Sequence, residues 1–157
     1  MATTKELDPK LERAIQDSLK AYSSGNKRFF DYIREDVRVY GLNSSQPILG
    51  RKAFESAFGP AFKTKRKVAV VHRDVQLSGK QAVLAQTLQI TADGISSHVR
   101  QTVIWAQDVD GGWKMNHIHN ALVGQPVVAG VPPKSINAIR VINERIATVA
   151  ATVGVAQ

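Results

Sequence analysis

The sequence predicts an α+β domain in which a curved antiparallel sheet is covered on one side by amino-terminal helices. Three observations lead there. Apolar residues recur at helical spacing in the first third of the chain. From about residue 66 the texture changes to four long runs, KVAVVHRDVQL, QAVLAQTLQI, ISSHVRQTVIWAQ and WKMNHIHNALV. Those runs are separated by Ser78-Gly79, Asp93-Gly94 and the Asp108–Gly112 stretch, residue types that hairpins use. Helices first and strands later is the α+β pattern.

Asp8-Pro9 supplies an N-cap side chain followed by proline at the first helical position. Leu11, Ile15, Leu19 and Tyr22 then fall about one turn apart, so residues 9–23 read as an amphipathic helix that Gly25 ends. Asn26 can cap a second short helix with Phe29, Phe30 and Ile33 on its apolar side. Val37–Tyr40 alternates like a strand. Residues 41–50 are turn-rich, Gly50 leads into a short helix carrying Phe54 and Phe58, and Pro60 is expected to close it.

With two-residue loops at Ser78-Gly79, Asp93-Gly94 and Asp110-Gly111, the strands pair as Val71–Gln86–Gln101–Asn120 and Arg73–Leu84–Val103–Ile118. One face then carries Val71, Arg73, Leu84, Gln86, Leu88, Ile90, Val99, Gln101, Val103, Trp105, Asn116, Ile118, Asn120 and Leu122. The other carries Val70, His72, Asp74, Val83, His98, Arg100, Thr102, Ile104, Met115, His117 and His119, and is far more polar. The helices must bury apolar stripes, so the first face is expected inside. An apolar wall with a few convergent polar groups is also what a small-molecule pocket looks like. The expected ligand-binding lining is Gln86, Gln101, Val103, Trp105, Asn116, Ile118 and Asn120, with Tyr22 and Tyr40 closing it from the helical side. A bulge near Asp108–Gly112 would instead turn His117 and His119 inward.

The chain has 157 residues, 43% of them apolar, which bounds it to one ordinary globular domain. No apolar run approaches the roughly 18 residues of a membrane span, and MATTKELDPK carries no basic-then-apolar leader. Cysteine is absent, which excludes disulfides, thiol catalysis and cysteine-bound zinc and fits a cytoplasmic protein. The net charge is +8, but the basic residues are scattered. Their one dense run, Lys63, Lys65, Arg66 and Lys67, lacks the interleaved aromatics that stack bases, so neither a nucleic-acid nor a membrane partner is expected.

Residues 1–124 are read as the domain and 125–157 as a Pro/Gly linker with a carboxy-terminal helix. In that helix Ile139, Ile142, Ile146, Val149 and Val153 form a short seam, packed either on its own domain or on a partner subunit.

Arg100-Gln-Thr102-Val-Ile-Trp105, a Gly-containing turn and Trp113-Lys-Met-Asn-His117-Ile-His119 together resemble the ending of SnoaL-like domains, within the nuclear transport factor 2-like superfamily. They are also similar to the association domain of calcium/calmodulin-dependent kinase II. The resemblance covers about residues 8–123 and implies a sheet that wraps a pocket. It implies a small-molecule-binding domain for an apolar or carbonyl-containing ligand, with cofactor-independent isomerase, cyclase and dehydratase among the family's activities. The alternative it implies is a non-catalytic oligomerisation hub. Neither function transfers residue by residue. The helix position where ketosteroid isomerase-like members carry tyrosine matches Ser18, the strand positions near Val103 and Ile104 hold no acid, and the hub arginines match Val103 and Asn120.

Acid–base chemistry needs a titratable group in the cavity. The only strand-borne charge on the inner face is Arg73, and Asp31 and Glu35 are the helical acids within reach. His117 and His119, with His72, have the types for a metal, but hydrogen bonding within a subunit interface is the reading preferred. No metal and no cofactor are expected. The polar face, studded with Ile104 and Met115, suits a homodimer packed through Arg100, Thr102, His117 and His119.

Overall fold

A computed structural model describes residues 7–42 and 45–128; the carboxy-terminal helix and its seam fall outside the described residues. Helix α1 spans Pro9–Ser24, a 3-10 helix spans Lys27–Tyr32, β1 spans Ile33–Tyr40, β2 spans Ile48–Leu49 and α2 spans Arg51–Phe62. Four long strands follow: β3 Lys67–Ser78, β4 Gln81–Ala92, β5 Ile95–Gln107 and β6 Trp113–Val128. They form one six-stranded sheet in the order β2-β1-β6-β5-β4-β3.

The caps act as the sequence dictates. The Asp8 carboxylate accepts the Lys10 N–H at 2.9 Å and the Asn26 side chain accepts the Arg28 N–H at 3.0 Å. Gly25 takes a left-handed φ of 68°, and a Cβ there would lie 2.8 Å from the Phe62 carbonyl oxygen. The end of α1 therefore touches the end of α2 only because residue 25 has no side chain. Pro60 does not close α2 but sits inside its last turn, and the helix continues to Phe62, whose ring is buried. The turn-rich stretch before α2 contains β2, which pairs antiparallel with β1.

Asp93 and Gly94, at φ 50° and 74°, make the expected two-residue hairpin and join Ala92 to Ile95. The pairs Gln86–Gln101–Asn120 and Leu84–Val103–Ile118 form as read from spacing. The outer strands differ. Ser78 pairs with Gln81, so the β3–β4 loop is Gly79-Lys80 and Arg73, not Val71, stands beside Gln86. A bulge at Val71 then reverses alternation toward the start of β3, leaving Val71 57% exposed. Strand β6 continues through residues 125–128, expected as linker, with Val127 and Val128 opposite Ser96 and Ile95. β1 lies parallel to β6, with Val39 beside Ile118 and Tyr40 beside His119.

The described helices all cover one face. Leu11, Ile15 and Tyr22 of α1, Phe29 and Phe30 of the 3-10 helix, and Phe54, Phe58 and Phe62 of α2 bury against Leu84, Leu88, Val99, Val103, Trp105 and Ile118 of the sheet.

Candidate functional site

The inner face is crossed by a row of polar side chains. Arg73, Gln86, Gln101 and Asn120 are neighbours on β3, β4, β5 and β6. Gln86 Nε2 donates to Gln101 Oε1 at 2.8 Å, and Gln101 Nε2 donates to Asn120 Oδ1 at 3.0 Å. Gln86 and Asn120 are buried. Such amides hold their orientation because a misdirected one leaves a donor or acceptor unpaired. Among the described residues the buried Gln86 Oε1 and Trp105 Nε1 have no hydrogen-bond partner. At the edge, Arg73 makes a two-pronged contact to Glu12 of α1, at 3.3 and 3.1 Å, tying the helix to β3.

Over this row sits an aromatic cluster holding all five phenylalanines of the chain. The Phe58 ring lies between 5.1 and 6.4 Å, centroid to centroid, from those of Tyr22, Phe29, Phe30, Phe54 and Phe62. The buried Arg66 guanidinium stacks on Tyr22 at 4.5 Å and donates to the Phe62 and Thr64 carbonyls at 3.1 and 2.7 Å. Burial pushes the Tyr22 hydroxyl well above the usual phenol range, and Arg66 offsets only part of that. Tyr22 therefore stays protonated at any physiological pH.

The rings leave a cavity of about 40 Å³, walled by Tyr22, Phe54, Phe58, Leu88, Gln101 and Ile118 among others. That is room for roughly one to three waters. Its lining holds no carboxylate and no imidazole. Of the residues read as a pocket lining, Tyr22, Gln101 and Ile118 meet at this cavity. Gln86, Val103, Trp105 and Asn120 are buried on the same face but do not reach it. Asn116 sits at a bulge in β6, half-buried. Tyr40 stands on the other face: it is 39% exposed, with its ring 5.2 Å from that of His117. Parallel pairing with β6 sets Val39, not Tyr40, beside the inward Ile118. Ser18 is buried and donates back to the Ile15 carbonyl at 2.9 Å. Asp31 and Glu35 are exposed, and Glu35 lies on β1 rather than a helix.

The bulge at Asn116 also decides where the histidines go. The turn before β6 has five residues, not two, with Gln107 paired to Trp113. Met115 is therefore an inward partner of Trp105, buried rather than on the outer face. The extra residue at Asn116 restores the register, so His117 pairs with Ile104 and His119 with Thr102 on the outer face. Among the described residues no group of three or more His, Asp or Glu is placed to hold a metal ion.

His117 has its pKa lowered, first by burial, then by His119 and Arg38 beside it. Its neutral form is the one the fold accommodates. The unfolded chain binds this proton more readily, so stability is complete above the ordinary imidazole value near 6.5. It declines as the pH falls through that value and levels off below the lowered one. His117→Asn is expected to flatten that slope, read as melting temperature against pH.

The SnoaL-like domain profile matches residues 11–123, and the chain belongs to this family. No curated protein matches the sequence. Among solved structures it is similar to a nuclear transport factor 2-like protein of unknown function from Pseudomonas putida, at 12% identity and TM-score 0.67, covering 78% of this chain and 94% of that one. The CaMKII hub of S. rosetta aligns at 18% identity and TM-score 0.62, covering 75% and 99%. A ketosteroid isomerase-like protein from Erwinia carotovora aligns at 13% and 0.61, covering 78% and 99%. The fold is thus nuclear transport factor 2-like. Among the described residues no helix is long and apolar enough to cross a membrane.

Proposed function

We propose that this chain is an association module that pairs with a second copy of itself through the outer face of the sheet. The observation that carries this reading is a strip on that face with no helix over it among the described residues. Thr102 and Ile104 of β5 run down its middle, with Val83 and Ala85 of β4 on one side and His117 and His119 of β6 on the other. Tyr40 extends the strip onto β1. Apolar, aromatic and imidazole groups form its centre, while Arg38 and Arg100 border it, which is the layout of an interface with a charged rim. The similarity to a protein named a CaMKII hub supports the reading by analogy of fold alone.

Small-molecule binding inside the sheet is the second reading. It is favoured by the Gln101 amide on the cavity wall. At about 40 Å³ the cavity suits a ligand larger than water only if Phe54 and Phe58 move.

Light scattering at micromolar concentration tests the proposal. Twice the mass of the chain is expected, and Thr102→Glu combined with Ile104→Glu should halve it with the far-ultraviolet circular dichroism unchanged. A monomeric parent protein, or a dimer indifferent to those two carboxylates, would rule the outer face out.

A further inference from the structure

A second concavity lies away from both the aromatic interior and the outer face. It is a groove of about 390 Å³ between α1, the 3-10 helix and the start of β6. Its floor is apolar: Pro9, the buried Ala14 and the buried Trp113. The Trp113 indole is fixed by donating to Asp8 Oδ2 at 3.0 Å. Ala14 gives the groove its depth, because a larger side chain at this position of α1 would fill it.

The charges along the groove are sorted. Lys10, Arg13, Ala14 and Asp17 follow one another at helical spacing along one wall, so Lys10 and Asp17 are about 10 Å apart along the helix. The Lys10 ammonium lies at the Gly111–Gly112 end, 3.4 Å from where a Cβ on Gly111 would stand. At the other end Asp17 and Asp31 flank the half-buried Tyr32. Burial first, then Asp17 and Asp31, raise the Tyr32 pKa, against a lowering by Arg28. Arg13 and Lys114 stand on the walls between. Among the described residues Lys114 and Asp31 have loose ion-pair partners, Asp108 and Arg51, each at 3.7 Å, beyond hydrogen-bond reach.

From this arrangement we infer that the groove binds a short peptide with free termini. Its carboxylate lies at Lys10, its ammonium at Asp17 and Asp31, and an apolar middle side chain rests on Ala14 and Trp113. Three extended residues span about 10 Å, the spacing of the two charged ends. A lone anion would leave the acidic end unused, and a lone cation would leave the basic end unused.

Titration of the full chain with the tripeptide Ala-Leu-Ala, followed by amide NMR, tests this. Saturable shifts are expected at Lys10, Ala14, Tyr32 and Trp113 and not at Gln101 or Ile118. N-acetylation and C-amidation should each weaken binding about tenfold, the loss of one charged contact worth about 1.4 kcal/mol. Lys10→Glu should weaken the free acid and leave the amidated peptide unaffected. Lys10 is exposed, so this variant is expected to fold. No saturable binding at millimolar peptide would overturn the inference. So would equal binding of blocked and free peptides, or sensitivity to amidation alone, which would mark a plain anion site.

Discussion

Replacing Phe58 with alanine is expected to cost about 3–5 kcal/mol of unfolding free energy, with a fall in melting temperature of roughly 10–15 °C. Phe58 is 1% exposed and its ring meets every other ring of the cluster. Those rings come from three separate elements: Tyr22 from α1, Phe29 and Phe30 from the 3-10 helix, and Phe54 and Phe62 from α2 itself. Truncation thus removes the common contact of the whole helical layer. It also opens the wall of the cavity that Phe58 already borders. The enlarged hole is lined mainly by aromatic and aliphatic groups, so it should stay dry and accept a small apolar guest such as benzene. Phe58→Leu, which leaves most of the volume, should cost clearly less. Calorimetry with and without benzene checks both parts. A loss below about 1 kcal/mol would mean the layer can collapse onto the gap, and the cluster would not be the keystone its geometry describes.

The central hairpin was legible because its signal is local. Asp93-Gly94 specifies a two-residue turn, and strict alternation on β4 and β5 leaves one register that buries Leu84, Leu88, Val99 and Val103 together. The pairing of Gln101 with Asn120 was legible for a less secure reason: two errors cancel. The turn before β6 has five residues rather than two, which shifts the register by one, and the bulge at Asn116 shifts it back. Beyond the bulge the reading holds and His117 and His119 face outward. Before it the reading fails, and Trp113 and Met115 are core residues. Nothing in the residues WKMNHIH marks Asn116 rather than a neighbour as the extra one, because a bulge answers to partners on another strand. Tyr40 was misplaced for the same kind of reason. Its facing depends on parallel pairing with β6, far away in sequence. The small size of the interior cavity was equally hidden. Phe54 and Phe58 at helical spacing, with Phe29 and Phe30 before them, announce a core, but not that all five phenylalanine rings gather in one cluster over the sheet.

Gln101→Leu is expected to cost about 2–4 kcal/mol, and the size of that loss decides what the inner amides are for. The substitution keeps most of the side-chain volume but removes both roles of Gln101 at once. Gln86 Nε2 loses its acceptor at 2.8 Å and Asn120 Oδ1 loses its donor at 3.0 Å. Gln86 is buried and its Oε1 has no partner already, so the whole Gln86 amide would be left unsatisfied. An orphaned buried group costs about 1–3 kcal/mol, more than the net gain from forming the bond. The companion variant, with Gln86, Gln101 and Asn120 all changed to leucine, removes every member of the ladder and should recover much of the loss. Urea titration of both variants, with the slope checked for constancy, gives the comparison. A ladder that holds the three central strands in register predicts a large single loss and a small triple one. If Gln101→Leu unfolds within about 0.5 kcal/mol of the parent, the bonds are not what orders these amides. They would then be free to turn toward a guest, and small-molecule binding in the interior would displace self-association as the better reading of this domain.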